Sequence, residues 1–367
     1  MKVLGVLAEM RPSGAEVGLA ASASEWRRQG VGMDLLATAA TPGPYASALR
    51  AAGYPIHHIP LKPAAAFAPA YLALLRRGRY DLVHVHPEYG NILTSGIARA
   101  AAIPTVRTCH NVRNFRGALR LERHIQRALL RRAGVKHIAV GASVAASEWS
   151  QFRNPSIRIM NCFDDQRFRP PTHEQRTRAR KVLGVQDSDF IITTIGNCAH
   201  QKNHEMAFEA LALLDGGGRP MRYLHAGTEQ PDGAERRLAE RLGVSASVRF
   251  LGPVDNVVEV LHAADCYVMP SRFEGLPLAA LEALGCGLPC ILVDAPGLRD
   301  LREFFPDQTW IPLDVHALRA ALVERCDSHV PDGPHSEAVS SVAHQLFSTR
   351  SYVSQHVDLF NQLVLSR

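Results

Sequence analysis

The 367-residue sequence predicts an α/β protein of two doubly wound domains, each a parallel sheet with helices on its faces. Three observations predict it. At roughly 150 residues per domain, the length suggests two. Short apolar runs alternate with longer segments of helical period, a pattern that implies parallel strands joined by right-handed crossovers. The pattern restarts after a Pro-containing polar stretch at 168–174, the best linker candidate, and no short-period repeat competes with it.

The first strand is the apolar run 2–7, too short for a signal peptide and ended by Glu9. Further strands of the first half are expected at 33–36, 82–86, 105–108 and 137–140. Helical patterns fall between them at 15–28, 46–52, 69–77, 91–101 and 119–132. The second half repeats the scheme, with strands at 190–195, 223–226, 248–251, 266–269 and 289–293. Its helices are expected at 205–214, 234–242, 257–263 and 278–284. The run Gly216-Gly217-Gly218 reads as a surface turn without a phosphate role, because it lies at the wrong end of its unit. In doubly wound sheets ligands bind at the carboxyl ends of the strands, so two such domains are expected to hold a site in a central cleft.

The composition is that of an ordinary globular protein, with 46% hydrophobic and 21% charged residues. A net charge of +6 favours anionic ligands such as nucleotide diphosphates, phospholipid headgroups or nucleic acid, or is simply a solvated basic surface. The seven cysteines form no CxxC pair and adjoin apolar runs, so free thiols in a reducing cytosol are expected. No stretch reaches the ~18 consecutive apolar residues of a membrane helix.

The chemistry concentrates in 271–283, Ser-Arg-Phe-Glu-Gly-Leu-Pro-Leu-Ala-Ala-Leu-Glu-Ala. Glu274 falls in a loop after an apolar strand, and Glu282 lies about one turn inside the following helix. Their separation of about 10 Å is too large to share one proton. It suits two sets of hydroxyls on one extended ligand, with the helix N-terminus between them offering N–H groups to an anion. Hydroxyls, phosphates and hydroxyls in that order describe a sugar nucleotide. A structural reading of Glu274 also stands, since negative charge is favourable near a helix N-terminus. Glu282 is harder to explain away, because Leu281, Ala283 and Leu284 surround it.

The pair Glu274-Gly275 and Glu282-Ala283, with Gly287 and Pro289 beyond, resembles the E-x7-E signature of retaining glycosyltransferases of the GT-B fold, most closely glycosyltransferase family 4. The likeness spans nearly the whole chain. Ser13-Gly14-Ala15-Glu16 resembles the glycine-rich loop after the first strand, and Thr108-Cys109-His110-Asn111 the mid-domain histidine motif. Asn161-Cys162-Phe163-Asp164 resembles the domain-crossing segment, and Gly196 through Lys202-Asn203-His204 the phosphate-binding loop.

The resemblance implies two Rossmann-like domains. Residues 1–165 form the acceptor-side domain, 170–345 bind the nucleotide sugar, and a last helix in 350–367 returns to the first domain. It implies a retaining transfer of a hexose-type sugar from a nucleotide diphosphate donor, with UDP expected, in polysaccharide or glycoconjugate biosynthesis. Catalytic residues are expected to be His110, Lys202 and Glu274. Donor-binding residues are expected to be Gly14, Gly196, Asn197, Lys202, Arg272, Glu274, Gly275, Leu276, Pro277, Leu278 and Glu282. The acceptor side is expected to include Ser13, His86, Glu88 and Asn111. Lys202 stabilises a departing pyrophosphate, and Gly14 permits close backbone approach. The family normally has Arg where this chain has Asn197, which donates hydrogen bonds but carries no charge; Arg272 is the candidate to compensate.

Three further expectations follow. His84, His86 and Glu88 alternate at a strand end, but a metal needs a further convergent ligand, so no metal or other cofactor is expected. Arg113, Arg116, Arg120, Arg123, Arg127 and Arg131 form a basic stripe if 119–132 is helical, either a solvated face or a contact with an anionic membrane. The protein is accordingly expected in the cytoplasm, with peripheral attachment to the inner face of the membrane as the functional reading of that stripe. Partners are then the sugar nucleotide and a glycan, lipid-linked or small-molecule acceptor, with no nucleic acid. A sugar-nucleotide epimerase of the same shape and a binding protein with reduced turnover are the rival readings. No GxGxxG follows any strand, which argues against a dehydrogenase.

Overall fold

A computed structural model describes residues 1–214, 219–328 and 336–366, so the Gly216–Gly218 run lies outside the described residues. The chain divides into two compact units, Met1–Asp164 with Phe347–Arg367, and Asp165–Leu346.

The first unit carries β1 (Lys2–Leu7), β2 (Gly32–Ala37), β3 (Ile56–His58), β4 (Leu82–Val85), β5 (Thr105–Cys109), β6 (Lys136–Ala139) and β7 (Ile157–Arg158) in the order β3-β2-β1-β4-β5-β6-β7. The second carries β8 (Phe190–Ile195), β9 (Met221–Ala226), β10 (Val248–Gly252), β11 (Cys266–Met269), β12 (Cys290–Val293) and β13 (Thr309–Ile311) in the order β10-β9-β8-β11-β12-β13. Every pairing is parallel. Each unit is thus Rossmann-like. Strand order reverses between β1 and β4 in one sheet and between β8 and β11 in the other, the points where the loops leaving adjacent strands part and open a crevice.

The central strands are buried on both faces because helices cover both; β4 and β5 are buried throughout, with His84, Thr105, Arg107 and Thr108 among their apolar residues. In the first unit, Trp26 of the helix Gly14–Arg28 stacks on Phe360 of the last helix, Thr349–Leu365, at 5.9 Å between centroids. Both rings are fully buried, a contribution of about 1.5–3 kcal/mol each. All seven cysteines are free thiols.

Several elements differ from the sequence expectations. Strands β3, β7 and β13 were not foreseen; at two or three residues they are too short to show alternation. The helix expected to start at Pro69 runs Ala64–Gly78, with Pro69 inside. Ala65, whose carbonyl loses its partner there, is exposed to water, which limits the cost. The stretch 168–174 belongs to the second unit: Phe168 is buried, and Thr172 and Gln175 form a capping box that starts the helix His173–Val182.

Candidate active site

The order reversal in the second unit brings the loop after β8 beside the loop after β11, although two strands separate them in sequence. The first loop is set by backbone geometry. Gly196 has φ +146° and Gly227 φ +154°, and a Cβ on Gly227 would lie 2.2 Å from the Gly196 carbonyl oxygen, so only glycine fits. Asn197 Oδ1 accepts the Thr228 amide at 2.9 Å, and the Cys198 amide donates to Thr228 O at 2.8 Å. The Asn197 oxygen therefore fastens the loop to the end of β9, a positioning task distinct from the charge of the family's usual arginine.

That loop presents Lys202 to Glu274. Lys202 Nζ donates to Glu274 Oε1 at 2.9 Å, and Gln201 Nε2 donates to Glu274 Oε2 at 3.1 Å. Glu274 is buried and Lys202 partly so. The attraction in such a pair is largely offset by desolvation, so a phosphate and a hydroxyl can replace the two partners at modest cost. Arg272 is tied to the same loop, its amide donating to Gln201 O at 2.9 Å, and its guanidinium pairs with Glu205. Beyond Gly275 and Leu276, the helix Leu278–Gly285 begins at Pro277 with no side-chain cap. Its first-turn N–H groups face a region where the partial positive charge of the helix end is available to an anion. Glu282 is buried, one turn into this helix.

In the first unit the reversal places the loop after β1 beside the one after β4. Ser13 and Gly14 open the helix Gly14–Arg28, and the Ser13 hydroxyl donates to the buried carboxylate of Glu16. Burial raises the Glu16 pKa, with the Ser13 bond opposing. His86 follows β4 and His110 follows β5; His86 Nδ1 and His110 Nε2 are 3.0 Å apart. Burial, then the nearby Arg107 charge, lowers His110 to about 4, so it is a neutral imidazole near neutral pH. His84 Nε2 lies 2.7 Å from Thr108 Oγ1. Asn111 is exposed.

The geometry thus unites Gly196, Lys202, Arg272 and Glu274 in one unit, and His86 with His110 in the other. Glu88, expected on the acceptor side, pairs its carboxylate with Arg107, Arg123 and Arg127. One expectation is corrected. The basic stripe on the helix Gly117–Arg132 is not a single outward face: Arg127 is fully buried, bonded to Glu148 at 2.8 Å, and Arg123 turns inward to Glu88. The 119–132 period contained both arginine rows, and only the carboxylates opposite decide which turns in. Gln201 was not singled out from the sequence; its adjacency to Lys202 was the available signal.

Among known proteins, the model of the family described as Glycosyltransferase Family 4 matches residues 12–165, and that of Glycosyl transferases group 1 matches residues 175–312. The chain is similar to the putative glycosyltransferase EpsF of Bacillus subtilis, 25% identical over 80% of this chain and 79% of that protein. It is also similar to the UDP-Gal:alpha-D-GlcNAc-diphosphoundecaprenol alpha-1,3-galactosyltransferase of Escherichia coli, 26% identical over 70% of this chain and 69% of the other. Two solved structures share the fold. A glycosyltransferase from Rickettsia africae has a TM-score of 0.86 at 15% identity, covering 99% of this chain and 98% of the other. Anabaena Alr3699/HepE in complex with UDP has a TM-score of 0.83 at 17% identity, covering 99% and 100%. Among the described residues no helix is long and apolar enough to cross a membrane.

Proposed function

The chain belongs to the GT-B glycosyltransferases of the family 4 type, and we propose that it is a retaining enzyme moving a hexose from a UDP-sugar to an acceptor hydroxyl in polysaccharide or glycoconjugate biosynthesis. The observation that carries this reading is the Lys202–Glu274 contact of 2.9 Å beside an uncapped helix N-terminus. A cation and an N–H cluster suit a pyrophosphate, and a carboxylate next to them suits the hydroxyls of the attached sugar.

In this reading the pyrophosphate lies against Lys202 and the start of the helix Leu278–Gly285, and the sugar hydroxyls donate to Glu274. The ribose hydroxyls donate to Glu282. As the bond from the anomeric carbon to the phosphate oxygen breaks, Lys202 and the helix end take up the charge of the leaving group. The acceptor hydroxyl attacks from the same face and gives its proton to the departing phosphate oxygen, so the anomeric configuration is kept. By resemblance to the family, neutral His110 is assigned to the donor sugar, and Ser13, His86, Glu88 and Asn111 to the acceptor. The phosphate charge is met by Lys202 and backbone dipoles rather than by a metal ion. Uridine is supported by the UDP of the Anabaena structure and the UDP-Gal of the E. coli relative.

Incubation with a panel of nucleotide sugars and oligosaccharide or lipid-linked acceptors tests the reading, with release of nucleoside diphosphate as the signal. We expect a UDP-sugar to be consumed and the product to keep the donor's anomeric configuration. Inverted product, or epimerised donor without transfer, would overturn it.

We also propose that the protein sits peripherally on an anionic membrane at the cytoplasmic face. On the helix Gly117–Arg132, Leu121, Ile125 and Leu129 are exposed at four-residue spacing, with exposed Arg116, Arg120 and Arg132 on the same helix or its cap. An apolar row among arginines suits an anionic bilayer surface. Flotation with anionic vesicles should carry the protein at low salt and lose it when Ile125 and Leu129 become Ser; equal flotation with neutral vesicles would count against the idea.

A further inference from the structure

Cys198, His204 and His225 converge beneath the loop that carries Lys202. Cys198 lies in the loop after β8, His204 opens the helix His204–Ala212, and His225 lies in β9. Among the described residues, these three form a group whose ligand-capable atoms all lie within 4.8 Å of one another. Cys198 Sγ is 3.7 Å from His225 Nε2, and the two imidazole centroids are 4.6 Å apart. Both histidines are buried, at 3% and 0% exposure.

Two features set this cluster apart from ordinary packing. First, it holds polar atoms with nothing to bond. His204 Nε2 and Glu235 Oε2 are buried without a partner, which is costly unless something satisfies them. Second, His204 is oriented as metal-binding histidines are. Its Nδ1 is 3.3 Å from the Tyr223 hydroxyl, and in the tautomer that donates there Nε2 offers a lone pair. The Glu235 carboxylate lies beside the Cys198 thiol, outside the three-residue group itself, so water or a reoriented Glu235 would complete the set.

We propose that Cys198, His204 and His225 form a site for one transition-metal cation of the zinc type, with Glu235 or water in the fourth position. One thiolate and two imidazoles suit a tetrahedral d10 cation, with M–S and M–N bonds of about 2.3 and 2.0 Å. Thiolate and imidazole atoms bound to one such ion stand about 3.5 Å apart, close to the 3.7 Å observed. On binding, the Cys198 thiol releases its proton to solvent. The neutral His225 moves its own proton from Nε2 to Nδ1, and its 2.8 Å contact with the Gly196 carbonyl gives way to the metal. Cys198 and His204 bracket Lys202 in sequence, so an occupied site anchors both ends of the donor loop. The role is structural, since none of the three side chains belongs to the proposed phosphate site.

The test uses the full chain without a histidine tag, stripped by chelator and titrated with Co2+. We expect one equivalent to bind with tetrahedral visible bands and a thiolate-to-cobalt charge-transfer band in the near ultraviolet, both removed by Zn2+. Cys198→Ser should lose the charge-transfer band; Cys198 is only half-buried, and circular dichroism checks that this variant folds. Tyr223→Phe, which keeps the ring, should weaken the metal by about 10–100-fold through loss of the orienting hydrogen bond. Absence of the charge-transfer band from the wild type, or its survival in Cys198→Ser, overturns the site. So does weak, octahedral absorption that Cys198→Ser does not change, which is the mark of surface histidines. These readouts are spectroscopic and stand whether or not the protein transfers a sugar.

Discussion

Lys202 is held from two sides, by Glu274 at 2.9 Å and by the bare backbone of Gly196, over which its stem folds. A side chain at 196 would meet that stem at 3.3 Å. Truncation to Ala removes the cation where leaving-group charge develops, and leaves the buried Glu274 carboxylate without its ion-pair partner. Loss of one such electrostatic group costs about 100- to 1000-fold in kcat. Steady-state kinetics of Lys202→Ala should show a fall of that order, with a smaller change in donor KM. The two glutamates should separate by assay. Glu282→Ala should weaken the free nucleoside diphosphate by about 1.5–3 kcal/mol, the worth of charged hydrogen bonds. Glu274→Ala should leave that affinity nearly intact and impair use of the sugar donor. Calorimetry with UDP on both variants distinguishes them, and equal losses would refute the division of labour. The sequence could place Lys202 and Glu274 on loops after strands, because glycine and proline mark those loops. It could not show that Gln201 takes the second Glu274 oxygen, which depends on strand order and rotamers.

The strongest alternations of period were legible among the elements: every long central strand and most helices follow from them. What was not legible includes the helices Ala142–Phe152, His173–Val182, Val315–Asp327 and Glu337–Phe347, the sheet edges and the contacts between helices. Strands β3, β7 and β13 are too short to carry a pattern, and the inward turn of Arg123 and Arg127 depends on carboxylates brought from Glu88 and Glu148. That network has a testable energetic consequence. Arg127 and Glu148 are both buried, and the Arg127 guanidinium also lies over the Phe152 ring at 4.2 Å. Arg127→Ala strands a buried carboxylate, a loss of about 3–5 kcal/mol. Arg127→Met with Glu148→Leu removes both charges and should cost much less. Urea unfolding of the single and double variants checks the difference; a single variant as stable as the parent would show that the pair is solvated. At the start of the helix His173–Val182, Thr172→Ala removes a capping-box partner and should cost about 1 kcal/mol.

Across the whole molecule, burial of histidine sets how the fold responds to acid. In the first unit, burial lowers His110 and His356 to about 4 and His137 to about 3, and holds His84 and His86 well below the ordinary range. His84, His86, His110 and His356 face one another; Arg107 and Arg113 lie near His110, and Arg107, Arg127 and Arg131 near His137. The carboxylate that opposes this at His137 is Glu148. The unfolded chain protonates these imidazoles near 6.5, whereas the folded chain resists until lower pH. Over the interval between, the unfolded state binds more protons, so stability is present above 6.5 and lost as pH falls towards 4. Each such histidine contributes up to ~1.4 kcal/mol per pH unit in that window. Glu16, whose pKa burial raises, works in the opposite direction as it takes up a proton in the fold. It is one group against several, and a net charge of +6 that grows more positive adds self-repulsion. Thermal melts in chelator at constant ionic strength should therefore show Tm falling between about pH 7 and about pH 5, reversibly on return. A flat Tm over that interval would mean that water reaches the His84–His86–His110–His356 cluster in the folded state. His110 would then titrate near neutrality, and the neutral imidazole assigned to the donor sugar would have to be reconsidered.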